Sequence, residues 1–127
     1  MPAPLFVYGT LKRQPDRKKH PLLRDARAIG RASMRGELYD LGKYPGVVRS
    51  AGNGDRVFGE LYEIPEAKER EILRRLDAYE GSEYDRQRVF VTLAGGRRRI
   101  AWVYVLRKRP KKDRRQLTSG YYRTRRP

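Results

Sequence analysis

Two places in this 127-residue chain combine residue types that can do chemistry. One is Glu80, at the end of a segment with helical periodicity; the other is Tyr8-Gly9-Thr10-Leu11, where a glycine follows a short apolar run. Ile72, Leu73, Leu76 and Tyr79 recur at spacings of three and four, which predicts one buried helix face, and Leu73, Leu76 and Glu80 share its stripe. A carboxylate there is partly desolvated and sits at the negative end of the helix dipole. Both effects disfavour the charged form and raise the pKa, the condition for a group that takes and returns a proton near neutrality. The plainer reading, which helix position alone favours, is a buried glutamate paired with a nearby arginine such as Arg86. Gly9 lets the backbone turn sharply and bare successive N–H groups, which can hold a carboxylate or a developing oxyanion without any side chain. An ordinary strand-to-loop turn has the same composition. No Gly-Lys-Ser/Thr follows Gly9 and no Gly-x-Gly-x-x-Gly occurs, so neither nucleotide-binding glycine loop is present. With no cysteine and one histidine, His20, thiolate zinc sites, a cysteine nucleophile and a His-rich metal site are excluded.

The elements that must position these residues are readable in outline. Leu5-Phe6-Val7-Tyr8 predicts a buried first strand, and Pro21 to Arg24 a short helix after the polar, basic stretch from Lys12 to Lys19. Gly36-Glu37-Leu38-Tyr39-Asp40-Leu41 and Gly59-Glu60-Leu61-Tyr62-Glu63-Ile64 echo each other and alternate polar with apolar, as paired or related strands of one sheet would. Between them lie a turn at Gly42 to Gly46, a short strand at Val47-Val48 and a hairpin loop at Ala51 to Asp55. Pro65 to Glu80 predicts the principal helix, with Pro65 at its first position and Gly81 as C-terminal cap. Residues 84–94 and 97–106 predict two strands around a Gly95-Gly96 turn; Ile100, Trp102, Tyr104 and Leu106 share one face, Ala101, Val103 and Val105 the other. The sum is an α+β domain: a small curved or barrel-like mixed sheet with one principal helix.

Taken jointly and in order, Tyr8-Gly9-Thr10-Leu11, Gly36-Glu37-Leu38-Tyr39, Tyr44-Pro45-Gly46, Gly59 to Ile64, Leu76-Asp77-Ala78-Tyr79-Glu80-Gly81, Tyr84-Asp85-Arg86 and Val89-Phe90-Val91 resemble the γ-glutamylcyclotransferase-like (AIG2-like) family. The resemblance covers the chain to about Tyr104, with Ser119-Gly120-Tyr121 as a looser echo; many relatives carry an acidic residue where Tyr121 stands. It implies the family's fold over residues 1–106, with 107–127 a basic extension packed in part by Tyr121 and Tyr122. It also implies a cofactor-independent enzyme that releases 5-oxoproline and a free amine from a small γ-glutamyl amide, by attack of the substrate's own α-amine on its γ-carbonyl. By the same resemblance Glu80 is the general acid/base, the backbone of Tyr8, Gly9, Thr10 and Leu11 holds the glutamyl group, Tyr84 is a pocket wall or hydroxyl donor, and Arg86 is a structural charge. A non-catalytic small-molecule binder of the same fold is the alternative.

Charge points elsewhere. The net is +16, but residues 97–127 hold 13 Lys+Arg against Asp113 alone, a net of +12, which leaves +4 on the first 96. Arginines and lysines interleaved with Tyr121 and Tyr122 have the composition of a phosphate contact with base stacking, so nucleic-acid binding through the tail is a second partner class; a solvated basic end is the plainer reading. Arg outnumbers Lys by 23 to 8, which fits phosphate recognition or, as the plainer and slightly favoured reading, the codon usage of a GC-rich genome. The chain length suits a single domain. No signal peptide and no membrane span are expected, which places the chain in a cytoplasm.

Overall fold

The computed structural model describes residues 2–9, 20–50, 54–112 and 114–122. Among these residues seven strands are arranged about one α-helix: β1 (Ala3–Val7), β2 (Arg27–Asp40), β3 (Pro45–Arg49), β4 (Arg56–Ile64), β5 (Tyr84–Leu93), β6 (Arg98–Leu106) and β7 (Arg115–Gln116), with α1 (Glu69–Glu80) between β4 and β5. Neighbours run β2-β4-β1-β6-β5, and β5 returns to β2 through Ala32↔Leu93 and Ser33↔Thr92, so five strands close into a barrel. The β1–β6 pair is parallel and the others are antiparallel, a mixed sheet. Closure leaves those five strands without a free edge.

The barrel has two cores because its strands bury alternate residues on opposite faces. Phe6, Met34, Leu61, Val91 and Val103 are among the side chains that fill the interior. Leu5, Val7, Tyr62, Ile64 and Tyr104 face outward and are covered by Ile72, Leu73 and Leu76 of α1 and by Leu23. Leu5 and Leu76 are fully buried; each such side chain contributes about 2 kcal/mol of transfer free energy. Strand β6 follows the predicted parity: Ala101, Val103 and Val105 face the interior, and Trp102, Tyr104 and Leu106 pack on the helix side. Ile100 on that second face is exposed.

Several sequence expectations are corrected. The two Gly-Glu-Leu-Tyr stretches share a sheet but do not pair: residues 36–40 lie against β3 and β7, and 60–64 against β1 and the first half of β2. Strand β2 begins at Arg27, far earlier than its alternating segment, because its first half carries small and basic residues whose strand character comes from pairing with β4. Pro65 precedes a 3-10 turn over Glu66–Lys68, and the α-helix starts only at Glu69. Tyr79 is 45% exposed, edge-on to His20 at 5.1 Å between ring centroids. From Leu76 the inward stripe continues at the i+4 position, Glu80, so Tyr79 falls at its margin. The short helix at Pro21–Leu23 is a single 3-10 turn, and the 95–96 turn joins β5 to β6 through a Gly96 N–H···O=C Leu93 bond of 2.8 Å. In the tail, Tyr122 is buried in the barrel core, whereas Tyr121 is 53% exposed and stacks on Phe58 at 4.6 Å. The basic stretch from Lys12 to Lys19 and the hairpin tip at 51–53 lie outside the described residues.

Candidate active site

Because β1 and β6 are parallel and β5 runs back from β6, the C-terminal ends of β1 and β6, the start of β5 and the end of α1 meet at one end of the barrel. Gly81 ends the helix there. Its φ of 83° is one that favours glycine, and its N–H donates to Asp77 O at 3.0 Å. The chain then turns directly into Tyr84. Gly9 extends β1 into the same corner, where a Cβ would sit 2.8 Å from Pro45 Cγ. Only a glycine allows this close approach of the first loop to the 44–46 turn.

The result is a pocket of about 350 Å³, its open mouth included, lined by Phe6, Val7, Tyr8, Gly9, Tyr44, Pro45, Glu80, Tyr84 and Tyr104. Four of the residues singled out in the sequence, Tyr8, Gly9, Glu80 and Tyr84, therefore share one cavity. Thr10 and Leu11 lie outside the described residues. Tyr44, Pro45 and Tyr104 are walls that residue type alone did not single out as site residues, although Tyr44-Pro45-Gly46 is one of the segments carrying the family resemblance.

The walls are hydrogen-bonded among themselves. Tyr8 Oη donates to Tyr104 O at 2.6 Å and accepts from Val47 N–H at 3.3 Å. Tyr84 Oη donates to Pro45 O at 2.6 Å. Tyr104 Oη donates to Asp77 Oδ1 at 2.6 Å, and Tyr44 Oη to Glu83 Oε1 at 2.6 Å. Burial above all, with the Glu80 charge adding to it, pushes the phenols of Tyr8 and Tyr84 upward, so both stay neutral donors. Tyr104 is raised by burial and then by its bond to Asp77.

Glu80 is the charged exception. It is half-buried, and among the described residues no lysine or arginine lines its pocket. Desolvation pushes its carboxyl up to about 7. Arg86, the partner expected under the plainer reading, is engaged elsewhere: its guanidinium donates to Asp77 Oδ1 at 2.9 Å and Oδ2 at 3.3 Å and lies over the Trp102 ring at 4.4 Å. Among the described residues no group of three or more His, Cys, Asp or Glu is placed to hold a metal ion. The site thus offers one desolvated carboxyl, a bend of backbone at Gly9 and a neutral tyrosine-rich wall.

A family model described as gamma-glutamyl cyclotransferase, AIG2-like, matches residues 5–124. The chain belongs to that family. Among curated relatives, a gamma-glutamylaminecyclotransferase of Bos taurus is 43% identical over 108 residues, covering 75% of this chain and 60% of the bovine protein. This chain thus spans less than two thirds of that relative's length. The gamma-glutamylcyclotransferase family protein YtfP of Escherichia coli K12 is 35% identical over 119 residues, covering 91% of this chain and 92% of its own. The crystal structure of a Mus musculus AIG2-like protein superposes with a TM-score of 0.67 at 32% identity, over 84% of this chain and 78% of the mouse chain. The barrel with one principal helix is this family's fold. Among the described residues no helix is long and apolar enough to cross a membrane.

Proposed function

We propose that this chain is a cyclotransferase that converts a γ-glutamyl amide into 5-oxoproline and a free amine, with Glu80 as general acid/base. The observation that carries the reading is the state of Glu80: a carboxyl raised to about 7, facing a pocket closed on one side by the Gly9 bend. A carboxyl of that pKa is divided between its two forms at neutral pH, so it accepts and donates with comparable ease.

The steps balance without a co-reactant. Carboxylate Glu80 takes a proton from the substrate's α-ammonium, and the freed amine nitrogen attacks the γ-carbonyl carbon to close a five-membered ring. The oxygen that becomes negative is stabilised by backbone N–H groups of the Tyr8-Gly9-Thr10-Leu11 loop. Glu80 then gives its proton to the departing nitrogen as the original amide C–N bond breaks. It takes the remaining extra proton of the ring nitrogen to leave a neutral lactam, and passes it to the released amine, which departs as the ammonium while Glu80 returns to the carboxylate. Nucleophile and electrophile belong to one molecule, so holding the glutamyl moiety folded supplies much of the rate. Tyr84, whose hydroxyl is committed to Pro45 O, serves as a wall beside Tyr104 and Tyr44.

The test is 5-oxoproline release from a panel of γ-glutamyl amino acids and γ-glutamylamines, comparing the wild type with Glu80→Gln at matched circular dichroism. Loss of product in the variant is expected; equal activity overturns the assignment of Glu80. A wild type that binds members of the panel yet releases no 5-oxoproline from any of them is a binding protein of the same fold.

A further inference from the structure

Beside the seam where β2 and β5 meet, the barrel carries a second concave surface that shares no residue with the Glu80 pocket. Its lining includes Arg35 of β2, Arg49 of β3, Arg56 of β4 and Arg98 of β6, together with Phe90 of β5, and it contains no acidic residue. Arg35 and Arg56 stand directly opposite each other across the antiparallel β2–β4 pair. Like charges in that register repel unless an anion lies between them.

Among the described residues, the hydrogen bonds that these arginines donate from their side chains run to neutral groups. Arg56 Nε donates to Ser33 Oγ at 3.1 Å and Arg49 Nη1 to Gln87 Oε1 at 3.1 Å, bonds that orient the guanidinium groups without neutralising them. Elsewhere arginines meet carboxylates, as in Arg86–Asp77, Arg99–Glu63 and Arg107–Asp85. Asp55, next to Arg56 in sequence, accepts from Gln116 and does not line the groove. Phe90 is 56% exposed, with the Arg98 guanidinium 4.5 Å from its ring centroid. The same outer face of β5–β6 continues the alternation, since Arg86 and Arg88 both lie over Trp102. At the other end Thr92 is shared with a neighbouring hollow bounded by Arg31 and the exposed Tyr121.

We infer that this groove binds the backbone of a single-stranded polynucleotide, its phosphates between Arg35, Arg49, Arg56 and Arg98 and a base on Phe90. Planar guanidiniums suit phosphate oxygens, and an exposed ring suits an unstacked base. A duplex keeps its bases stacked and leaves Phe90 without a partner. The binding site is thus a folded surface of the strands, whereas the charge count alone pointed to the tail; Arg123, Arg125 and Arg126 of that tail lie outside the described residues.

The experiment is fluorescence anisotropy of the full chain with a labelled oligothymidylate of about 20 nucleotides, titrated from about 50 mM salt upward. Four neutralised phosphates give a log–log salt slope of about −3. Arg35→Gln with Arg56→Gln, and separately Arg49→Gln with Arg98→Gln, should each weaken binding about tenfold or more and reduce that slope by about 1.4. Phe90→Ala should weaken it by about tenfold at unchanged slope. Thermal melts of each variant show that the barrel remains folded, and the two arginine pairs test the groove independently. The proposal is overturned by absence of salt-sensitive binding in the wild type. It is equally overturned by a duplex of the same length that binds as tightly and ignores Phe90→Ala, or by unchanged affinity in both arginine pairs when Arg123, Arg125 and Arg126 to Gln abolishes binding.

Discussion

Asp77 and Glu80 lie one turn apart at the end of α1, yet their surroundings drive them in opposite directions. Burial works to raise the pKa of Asp77, but hydrogen bonds from Arg86 and Tyr104 outweigh it and hold the carboxyl below its ordinary value. Glu80 meets desolvation with no cation among the described residues that line its pocket, and rises to about 7. The difference lies in which face of the helix each side chain leaves. Asp77 reaches β5 and β6, where an arginine and a phenol wait, while Glu80 points into a cavity of tyrosines and backbone. Carboxyls whose environments push their pKa values apart suit separate tasks, here one holding structure and one, in the mechanism proposed above, moving protons. Arg86 contributes to the split, since it engages Asp77 rather than Glu80.

The comparison can be broken most forcefully at Glu80. Glu80→Gln should lower 5-oxoproline release by about 10²- to 10⁴-fold, the range of a lost general acid/base, as measured by product formation at saturating substrate. The same variant should be more stable than the wild type at alkaline pH. A carboxyl whose folded pKa is raised from about 4.5 to about 7 favours the folded state while protonated. Its contribution is therefore fully present below the unfolded value and is lost as pH rises through that window. Glu80→Gln escapes this loss, so its advantage in urea unfolding should reach up to about 3 kcal/mol at pH 8 and vanish near pH 4. A constant difference across that range would show that Glu80 is not desolvated in the folded protein.

At Asp77 the effects are smaller and opposite in sign. Tyr104→Phe removes one hydrogen bond to Asp77 and should cost about 1 kcal/mol in unfolding free energy, with the loss shrinking in acid as Asp77 is protonated in both states. Asp77→Asn frees the Arg86 guanidinium from its carboxylate. The acid limb of the kcat/KM profile, expected near pH 7 from Glu80, should then move down by a few tenths of a pH unit as a cation becomes available to the helix end. An unmoved limb would mean that the two carboxyls are electrostatically independent.

Much of this arrangement was legible in residue order. The first strand, the helix stripe that carries Glu80 on its inward side, the cap at Gly81 and the β5–β6 hairpin all follow from local periodicity and glycine positions. Residues 27–35 were not legible as a strand, because Arg27, Gly30, Arg31 and Arg35 give no alternation and only pairing with β4 extends them. Tyr44, Pro45 and Tyr104 were invisible as site walls for a related reason, since each joins the pocket through contacts more than thirty residues away in sequence.

Sequence alone determined which groups are available: a chain without cysteine, one helix ending in a glutamate, a glycine after the first strand, and an arginine excess over acid. Periodicity is a local property, so it specifies what a segment buries but not what it meets. Tertiary structure decided that Arg86 would engage Asp77 rather than Glu80, and that Gly9 would be pressed against Pro45. It also gathered four arginines around one groove whose lining, among the described residues, holds no acidic side chain. Each of those outcomes depends on strand order and register in a closed barrel, which long-range pairing sets and no local pattern encodes.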